Sequence, residues 1–288
     1  MNLWIFLSEQ PGLFLAGVTL LGLLVGSFLN VLVHRLPIML ERQWQQEARE
    51  VLGLPLVAYQ RFDLCLPASH CPHCQHRIRA WENIPVLSYL ALRGRCPACK
   101  AAISRRYPLV ELACAVLSLA TAWHFEASLE ALLALLLTWC LLALSLIDAE
   151  HQLLPDMLVL PTLWLGLVLN ACGVFVPLTD ALWGAVVGYL SLWSVYWAFK
   201  LVTGKDGMGY GDFKLLAMIG AWGGWQVLPM TLVLSSVVGA VVGLSLLALR
   251  KRAMGAAMPF GPYLAIAGWI AWLWGDEIYA FYLKLLGV

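Results

Sequence analysis

The chain has 288 residues, of which 61% are hydrophobic and only 12% are charged, and its formal net charge is +1. Soluble domains carry about a quarter charged residues, so this composition excludes an ordinary soluble protein and indicates that lipid is the main solvent. The net charge says little, whereas the distribution of the basic residues along the chain is informative.

Eight apolar runs approach the roughly 20 residues that span a bilayer. They lie at about 13–34, 108–123, 129–147, 157–175, 181–202, 213–225, 227–249 and 260–274. The first has no basic segment before it and no small-residue cleavage site after it, which favours a retained helix over a cleaved signal. The prediction is an all-α membrane protein, a polytopic bundle of about eight spans, or seven if 213–225 is re-entrant.

The basic residues give the orientation. If the N-terminus is outside, all of the 18 Lys and Arg residues except Lys284 fall on one side, and the positive-inside rule makes that side the cytoplasm. Most of them lie in 35–107, a polar segment rich in Cys, His and Pro. We therefore expect a first transmembrane helix in 1–34, a cytoplasmic insert in 35–107 and a membrane bundle in 108–288.

Two motifs in the insert indicate a metal site. Cys71 and Cys74 form one CxxC pair, and Cys96 and Cys99 form a second. Two such turns complete a tetrahedral shell of four thiolates, which is typical of structural zinc because no open position remains. An iron–sulfur cluster or a redox pair at each CxxC are the alternatives. The remaining cysteines are interpreted as core or lipid-buried thiols: Cys65, Cys114, Cys140 and Cys172. The nearby histidines are interpreted as solvated loop side chains: His70, His73 and His76.

Two aspartates occur where an apolar bundle tolerates few charges. Asp148 ends the third apolar run and Asp212 begins the sixth, so the predicted topology places both at the cytoplasmic ends of their helices. Two carboxyl groups in a poorly solvated site share one proton. The ionised member can then activate water while the protonated member hydrogen-bonds a scissile carbonyl. The glycines of 207–211 permit close approach of an extended peptide.

The other acids near these helices have a simpler interpretation. Asp156, Asp180 and Asp206 are read as helix caps at the membrane interface. Small-xxx-small spacing at Gly184/Gly188 and Gly239/Gly243 predicts close helix packing in lipid. No internal repeat is visible in the sequence.

These residues resemble the type IV prepilin peptidase family, the bacterial branch of the GxGD intramembrane aspartic proteases. The matching motifs are Asp-x6-Pro-Asp at 148–156, Gly-x-Gly-Asp-x-Lys at 209–214, Gly-Ser-Phe-Leu-Asn-Val at 26–31 followed by Arg35, the two CxxC pairs, and Pro-Phe-Gly-Pro at 259–262. The resemblance covers nearly the whole chain. It implies a helical bundle with a zinc-bearing cytoplasmic insert, in the bacterial inner membrane, with Asp148 and Asp212 as the catalytic dyad.

The resemblance also implies the substrates and a second activity. Prepilins or type II secretion pseudopilins would lose a short leader, and the same protein would methylate the new N-terminus with S-adenosylmethionine. Asn30, Arg35 and Glu111 are candidates for the methyl-donor region. Asn30 is equally well explained as a polar contact between helices, and Glu111 as a cap or a partner of a nearby arginine. No nucleic-acid partner is expected.

Two other classes of function remain as alternatives. An ion-coupled transporter also uses intramembrane acids, although the acids here cluster at the cytoplasmic edge instead of lining a path across the bilayer. A zinc-dependent membrane protease needs an open metal position, and the sequence has no HExxH motif.

Overall fold

In the computed structural model, the chain is described at residues 8–249 and 258–286, and the regular secondary structure in these ranges is helical, as predicted. Each predicted apolar run coincides with a helix. The helices are α1 Pro11–Val51, α2 Leu87–Ala91, α3 Arg106–Phe125, α4 Leu129–His151, α5 Asp156–Ala171, α6 Leu178–Thr203, α7 Tyr210–Gly223, α8 Val227–Ala248 and α9 Gly261–Leu286, with a 3₁₀ turn at Ala80–Asn83.

Five helices within the described ranges are long and apolar enough to cross a membrane, namely α1, α3, α4, α6 and α8. Helix α5 has 16 residues and α7 has 14, which correspond to about 24 Å and 21 Å at 1.5 Å per residue. Both are shorter than a hydrocarbon core of roughly 30 Å. The eight predicted segments are therefore all helices, but they do not all meet the length and hydropathy of an independent span.

Helix α1 does not end with its apolar run at residue 34 but continues for several turns to Val51. The extension is polar and contains Glu, Gln, Arg, Leu and Ala, which have high helix propensity. The change from apolar to polar residues marks where lipid contact was predicted to end, and the helix continues through it, with Pro37 inside the helix.

The chain divides into two compact units, Met1–Leu135 and Leu136–Val288. In the first unit, α1 and α3 run antiparallel and touch through glycine. An ideal Cβ on Gly22 would lie 2.7 Å from Ser118 Oγ, and one on Gly26 would lie 2.7 Å from Glu111 Cα. The spacing of this pair, Gly22 and Gly26, is the small-xxx-small pattern that lets two helix backbones approach closely.

Helix α7 is the core of the second unit. Every residue from Asp212 to Gly223 except Lys214 is buried, and α5, α6, α8 and α9 pack around this helix. The C-terminal end of α7 is held by Asn170, whose Nδ2 donates to the carbonyl of Ala221 at 2.9 Å. Trp222 is fully buried and its Nε1 donates to the carbonyl of Thr162 at 2.8 Å. A short helix thus has a fixed position inside the bundle.

The predicted close packing at Gly184 and Gly188 is confirmed. An ideal Cβ on Gly184 would lie 2.2 Å from the carbonyl oxygen of Gly220, and one on Gly188 would lie 2.8 Å from that of Leu216. Helices α6 and α7 therefore meet backbone to backbone. Gly239 is different, since its ideal Cβ would be 3.6 Å from the nearest atom of Tyr263, an ordinary contact.

This difference predicts the effect of two matched substitutions. Gly184→Ala should lower the free energy of unfolding by about 1–3 kcal/mol, because the methyl group forces α6 and α7 apart. Gly239→Ala also replaces a glycine inside a transmembrane helix. It should leave the free energy of unfolding within about 0.5 kcal/mol of the wild-type value. Thermal unfolding of the purified variants in one detergent measures both. Equal stability of the two variants would contradict the backbone contact.

Candidate functional site

Asp148 lies in the last turn of α4 and is 6% exposed. Its Oδ2 accepts a hydrogen bond of 2.9 Å from the main-chain N–H of Gly261, the first residue of α9. Gln152 closes the end of α4 by donating its N–H to the carbonyl of Asp148 at 2.9 Å. The carboxyl group is therefore held inside the second unit and points toward the start of α9.

Asp212 lies in the first turn of α7 and is also 6% exposed. The charge of Asp148 acts on Asp212 directly, so the fold brings together the two acids that the sequence singled out. Both occupy the second unit, and both lie where a helix begins or ends instead of in mid-span. Two buried carboxyl groups that interact electrostatically can exchange protons with a bound reactant.

The glycines in the loop that leads to Asp212 have different structural reasons. Gly204 has a φ of 69° and caps α6 in the left-handed region. An ideal Cβ on Gly207 would lie 2.8 Å from the ring of Phe199, and one on Gly211 would lie 2.8 Å from Leu154. At Gly209 the nearest atom, Asp212 Oδ2, would be 3.9 Å away. The surroundings of Gly209 are therefore less crowded than those of Gly207 and Gly211, and Asp212 is among its nearest neighbours.

Asp206 fastens the same loop to α6. Its Oδ1 accepts from the hydroxyl of Tyr196 at 2.6 Å and from Lys200 Nζ at 2.8 Å. Tyr196 is buried, and its ring packs against Tyr210 and Phe213 at centroid distances of 5.3 and 5.6 Å. Asp206 is thus an ion-pair partner that positions the approach to Asp212, where the sequence suggested a helix cap.

Asp156 links the two aspartate motifs. It begins α5, where its negative charge suits the helix dipole. Both of its carboxylate oxygens accept from Lys214 Nζ on α7, at 2.7 and 2.8 Å. The cap interpretation is therefore wrong, because Pro155 is the N-cap residue of α5 and no side chain caps the helix. The ion pair instead joins the start of α5 to α7, two residues after Asp212.

The four predicted cysteines form a cluster that could hold a metal ion. The sulfur atoms of Cys71, Cys74, Cys96 and Cys99 all lie within 4.8 Å of one another. Cys71 and Cys99 are 3.8 Å apart, and Cys74 and Cys96 are 3.9 Å apart, both measured between sulfur atoms. Cys65 lies outside the cluster and is exposed. The fold therefore brings together the four cysteines that the sequence singled out.

The two CxxC turns have the same backbone geometry. In the first, the N–H of Cys71 bonds the carbonyl of His76 and the N–H of Gln75 bonds the carbonyl of Cys71; Cys96, Ala101 and Lys100 repeat this pattern. Gln75 and Lys100 have φ values of 59° and 62° at equivalent positions. The two knuckles are therefore a local structural repeat. Apart from the CPxC motif, the two segments share little sequence that would reveal it.

The turns favour the thiolate form that a metal requires at Cys71 and Cys96, whereas burial and the neighbouring sulfur atoms raise the pKa of Cys74. The main-chain N–H groups of Cys74 and His73 lower the pKa of Cys71 to about 7. The N–H group of Cys99 lowers the pKa of Cys96 in the same way. N–H groups directed at sulfur are the expected consequence of a CxxC turn, and they favour deprotonation of the thiol.

Arg35 organises the insert. It is 7% exposed, and its guanidinium donates to the carbonyls of Asp63 and Pro67 at 2.8 and 2.6 Å. Asp63 belongs to the same segment and accepts hydrogen bonds from the side chain of Arg61 and from the N–H groups of Leu66 and Cys65. These hydrogen bonds lower the pKa of Asp63 to about 2. Arg35 therefore has a structural function that the sequence did not predict.

Asn30 and Glu111 lie on the facing helices α1 and α3. Asn30 Nδ2 donates to the carbonyl of Tyr107 at 3.1 Å, which confirms the polar contact between helices, but its buried Oδ1 has no partner among the described residues. Glu111 Oε2 accepts the N–H of Val86 at 2.7 Å. Val86 has a φ of 60°, an unfavourable value for a β-branched residue, so Glu111 holds a strained part of the insert against α3.

Two family profiles match the chain. The bacterial peptidase A24 N-terminal domain matches residues 20–125, and the type IV leader peptidase family matches residues 135–244. A prepilin leader peptidase/N-methyltransferase of Pseudomonas putida is 72% identical and covers 100% of both chains. Proteins of that name from Pseudomonas aeruginosa and Dichelobacter nodosus are 65% and 53% identical, covering 98% of both chains, and 94% of this chain and 95% of the relative. No solved structure matches.

The chain belongs to the type IV leader peptidase family. It is an enzyme and a multi-pass membrane protein. The leader peptidase profile contains Asp148 and Asp212, whereas the N-terminal profile contains the four cysteines, Asn30 and Glu111. Gly261, the hydrogen-bond donor to Asp148, lies outside both matched ranges.

Sequence reasoning missed three residues at these sites. Gly261 was noted only as part of a family motif, although the proline after it and the preceding apolar helix made a helix start predictable. The role of Val86 required a long-range contact that local sequence does not encode. The Tyr196–Asp206 contact needed the fold of the loop, since ten residues separate its partners.

Proposed function

We propose that the chain removes the leader peptide from type IV prepilins and type II secretion pseudopilins, and then methylates the new N-terminal residue with S-adenosylmethionine. The names of its full-length relatives support both activities. The observation that carries the peptidase half is the pair of buried, mutually interacting carboxyl groups of Asp148 and Asp212. The transporter alternative gains no support, because these acids form one pair instead of a series across the bundle.

The proposed chemistry is direct hydrolysis without a covalent intermediate. Low exposure and like charge keep the two carboxyl groups from ionising together, so the pair holds one proton. The ionised member takes a proton from water, while the protonated member hydrogen-bonds the scissile carbonyl. The uncrowded backbone at Gly209, where an added Cβ would have no atom closer than 3.9 Å, would let an extended segment of the substrate approach next to Asp212.

We place the enzyme in the bacterial inner membrane with residues 35–107 and the dyad at the cytoplasmic face. This orientation is supported by the basic residues, all of which except Lys284 would then be cytoplasmic. A pilin N-terminal helix is apolar and can remain in lipid while its leader reaches the cytoplasmic side. The cleavage site would then lie at the depth of Asp148 and Asp212.

The dyad assignment predicts a loss of cleavage with retention of methyl transfer. Asp148→Ala and Asp212→Ala should each reduce prepilin cleavage by about 10²–10⁴-fold, the contribution of a general acid or base. Asp180→Asn, which removes an acid bonded to Gln226 outside the dyad, should cleave at the wild-type rate. Gel analysis of a prepilin incubated with each detergent-solubilised variant measures this.

Methylation of pre-cleaved pilin serves as the folding control for the same variants. Both alanine variants should retain it if the two reactions use separate residues. Wild-type cleavage by both variants would rule out the dyad.

The metal bound by the four cysteines is proposed to be zinc. A tetrahedron with Zn–S bonds of about 2.3 Å has edges of about 3.8 Å, and the two sulfur–sulfur distances of 3.8 and 3.9 Å agree with it. Four protein ligands leave no position for a catalytic water, so the ion would be structural. It would stabilise an insert with few apolar residues to bury.

Metal analysis tests this assignment independently of activity. Purified wild-type protein should contain one zinc per chain, and Cys71→Ser should lose it, whereas Cys65→Ser should retain it because Cys65 lies outside the cluster. Removing zinc with a chelator should increase proteolysis within 71–99 before prepilin cleavage declines. Iron in place of zinc, or a metal content unaffected by Cys71→Ser, would refute the assignment.

The methyl donor is assigned to the region of Asn30 and Glu111. S-adenosylmethionine would supply an activated methyl group, and its ammonium and sulfonium charges need acceptors and an acidic neighbour. The unpartnered Oδ1 of Asn30 and the carboxyl group of Glu111, on facing helices, fit those requirements. Arg35 becomes a weaker candidate, since its guanidinium already bonds two carbonyls.

Replacing Asn30 tests the assignment. Asn30→Leu should weaken binding of labelled S-adenosylmethionine by at least about tenfold, as expected for losing a hydrogen bond to a charged group, and should leave prepilin cleavage unchanged. Ser118→Ala removes another buried polar group from the α1–α3 pair and should bind the methyl donor normally. Wild-type binding by Asn30→Leu would exclude this region.

A further inference from the structure

The first turn of α9 has one N–H group directed away from the helix. The N–H groups of Tyr263 and Leu264 both bond the carbonyl of Phe260, at 3.1 Å each. Pro262 has no N–H group to offer. Among the first four residues of α9, Gly261 alone therefore presents a donor to an outside acceptor, and that acceptor is Asp148 Oδ2 at 2.9 Å.

Gly261 is also the one residue type that permits this contact. An ideal Cβ at this position would lie 2.7 Å from Asp148 Oδ2 and 3.1 Å from its Cγ. The requirement is steric, since the φ of Gly261 is not in the left-handed region. Any side chain would displace the carboxyl group from the N–H group.

A hydrogen bond from the N-terminus of a helix favours the charged form of its acceptor. The unpaired N–H group carries partial positive charge from the helix dipole, and N–H donation to a carboxylate is stronger than donation to a neutral acid. A fixed donor at one member of a proton-sharing pair therefore breaks the symmetry of that pair. The N–H group of Gly209 also acts on Asp212, but Gly261 gives Asp148 a hydrogen bond of 2.9 Å, so we expect the charge to settle on Asp148 and the proton on Asp212.

We propose that Gly261 is a positioning residue for peptide hydrolysis: its N–H group keeps Asp148 ionised, which makes Asp148 the base and leaves the shared proton on Asp212. The proposal rests on the proposed peptidase function and goes beyond it by giving the two acids different roles. It also gives the Phe-Gly-Pro sequence a physical purpose. The phenylalanine carbonyl closes the turn, the glycine donates without a side chain, and the proline removes a competing donor.

The roles define a balanced reaction. Water forms a bond to the scissile carbonyl carbon and gives one proton to Asp148, while the carbonyl oxygen takes the proton of Asp212. In the resulting diol, the C–N bond breaks and the nitrogen takes the proton from Asp148. One diol hydroxyl returns a proton to Asp212 as the carbonyl re-forms. The products are a carboxylic acid and a free amine, and both aspartates recover their initial states.

Gly261→Ala tests the positioning role in the full-length enzyme. Its methyl group should displace Asp148 and reduce kcat for prepilin cleavage by about 10²-fold, with KM within about twofold of wild type because the substrate path is unchanged. Methylation of pre-cleaved pilin should be retained. Steady-state cleavage assays with a purified prepilin measure both constants.

Gly268→Ala is the matched control for damage to packing. It lies on the same helix, and its ideal Cβ would collide with Ile219 Cδ1 at 2.5 Å, a comparable clash without the dyad. The kcat of Gly268→Ala should exceed that of Gly261→Ala by at least about tenfold. An equal kcat in the two variants, or a wild-type kcat in Gly261→Ala, would overturn the proposal. Absence of cleavage by the wild-type enzyme would instead refute the proposed function.

The assignment of roles has a second test that does not depend on how Gly261→Ala folds. Asparagine at position 212 can still donate a hydrogen bond to the scissile carbonyl, as a protonated Asp212 does, whereas asparagine at position 148 cannot accept a proton from water. Asp212→Asn should therefore retain at least about tenfold more single-turnover activity than Asp148→Asn. Equal activities, or the reverse order, would overturn the assignment.

Discussion

Two carboxyl groups buried side by side in an apolar bundle are the constraint on which the second unit depends. Asp148 and Asp212 are each 6% exposed, and neither is paired with a lysine or arginine in the ion pairs of the described chain. Burial without a counter-ion is costly unless protons or main-chain N–H groups compensate. The N–H group of Gly261 offsets part of that cost at Asp148, so the electrostatics of the site depend on backbone placement.

Backbone placement in turn depends on glycine. Gly184 brings α6 against Gly220 of α7, Gly211 brings the start of α7 against Leu154, and Gly261 brings the start of α9 against Asp148. Helices in lipid gain little from burying apolar side chains, so close backbone contact is a main source of their association. The same contacts that hold the short helix α7 in the bundle therefore fix the position of the acid at its start. Stability and catalytic geometry have a common origin here.

Residue chemistry could be predicted from the sequence, but contacts between distant segments could not. An aspartate at the end of an apolar run and four cysteines in two CxxC pairs are unusual enough to be recognised without a fold. The bond between Asp148 and Gly261 joins residues 113 apart in sequence, and no periodicity encodes such a pairing. Likewise, Arg35 was read as a ligand candidate because its two carbonyl partners are main-chain atoms, which carry no sequence signal. The helical extension of α1 to Val51 was missed for a different reason: hydropathy reports contact with lipid, whereas helix propensity continues past it.

The division of the chain into two units also separates its two proposed chemistries. The dyad and Gly261 belong to Leu136–Val288, whereas the cysteine cluster, Asn30 and Glu111 belong to Met1–Leu135. The proposed hydrolysis needs acids shielded from bulk solvent and from cations, because a neighbouring cation would stabilise both carboxylates and remove the shared proton. Methyl transfer from a cationic donor needs a different environment, with hydrogen-bond acceptors and negative charge near the ligand. A single cavity would satisfy these requirements poorly, and placing the two sets of residues in different units lets each environment be set by its own helices.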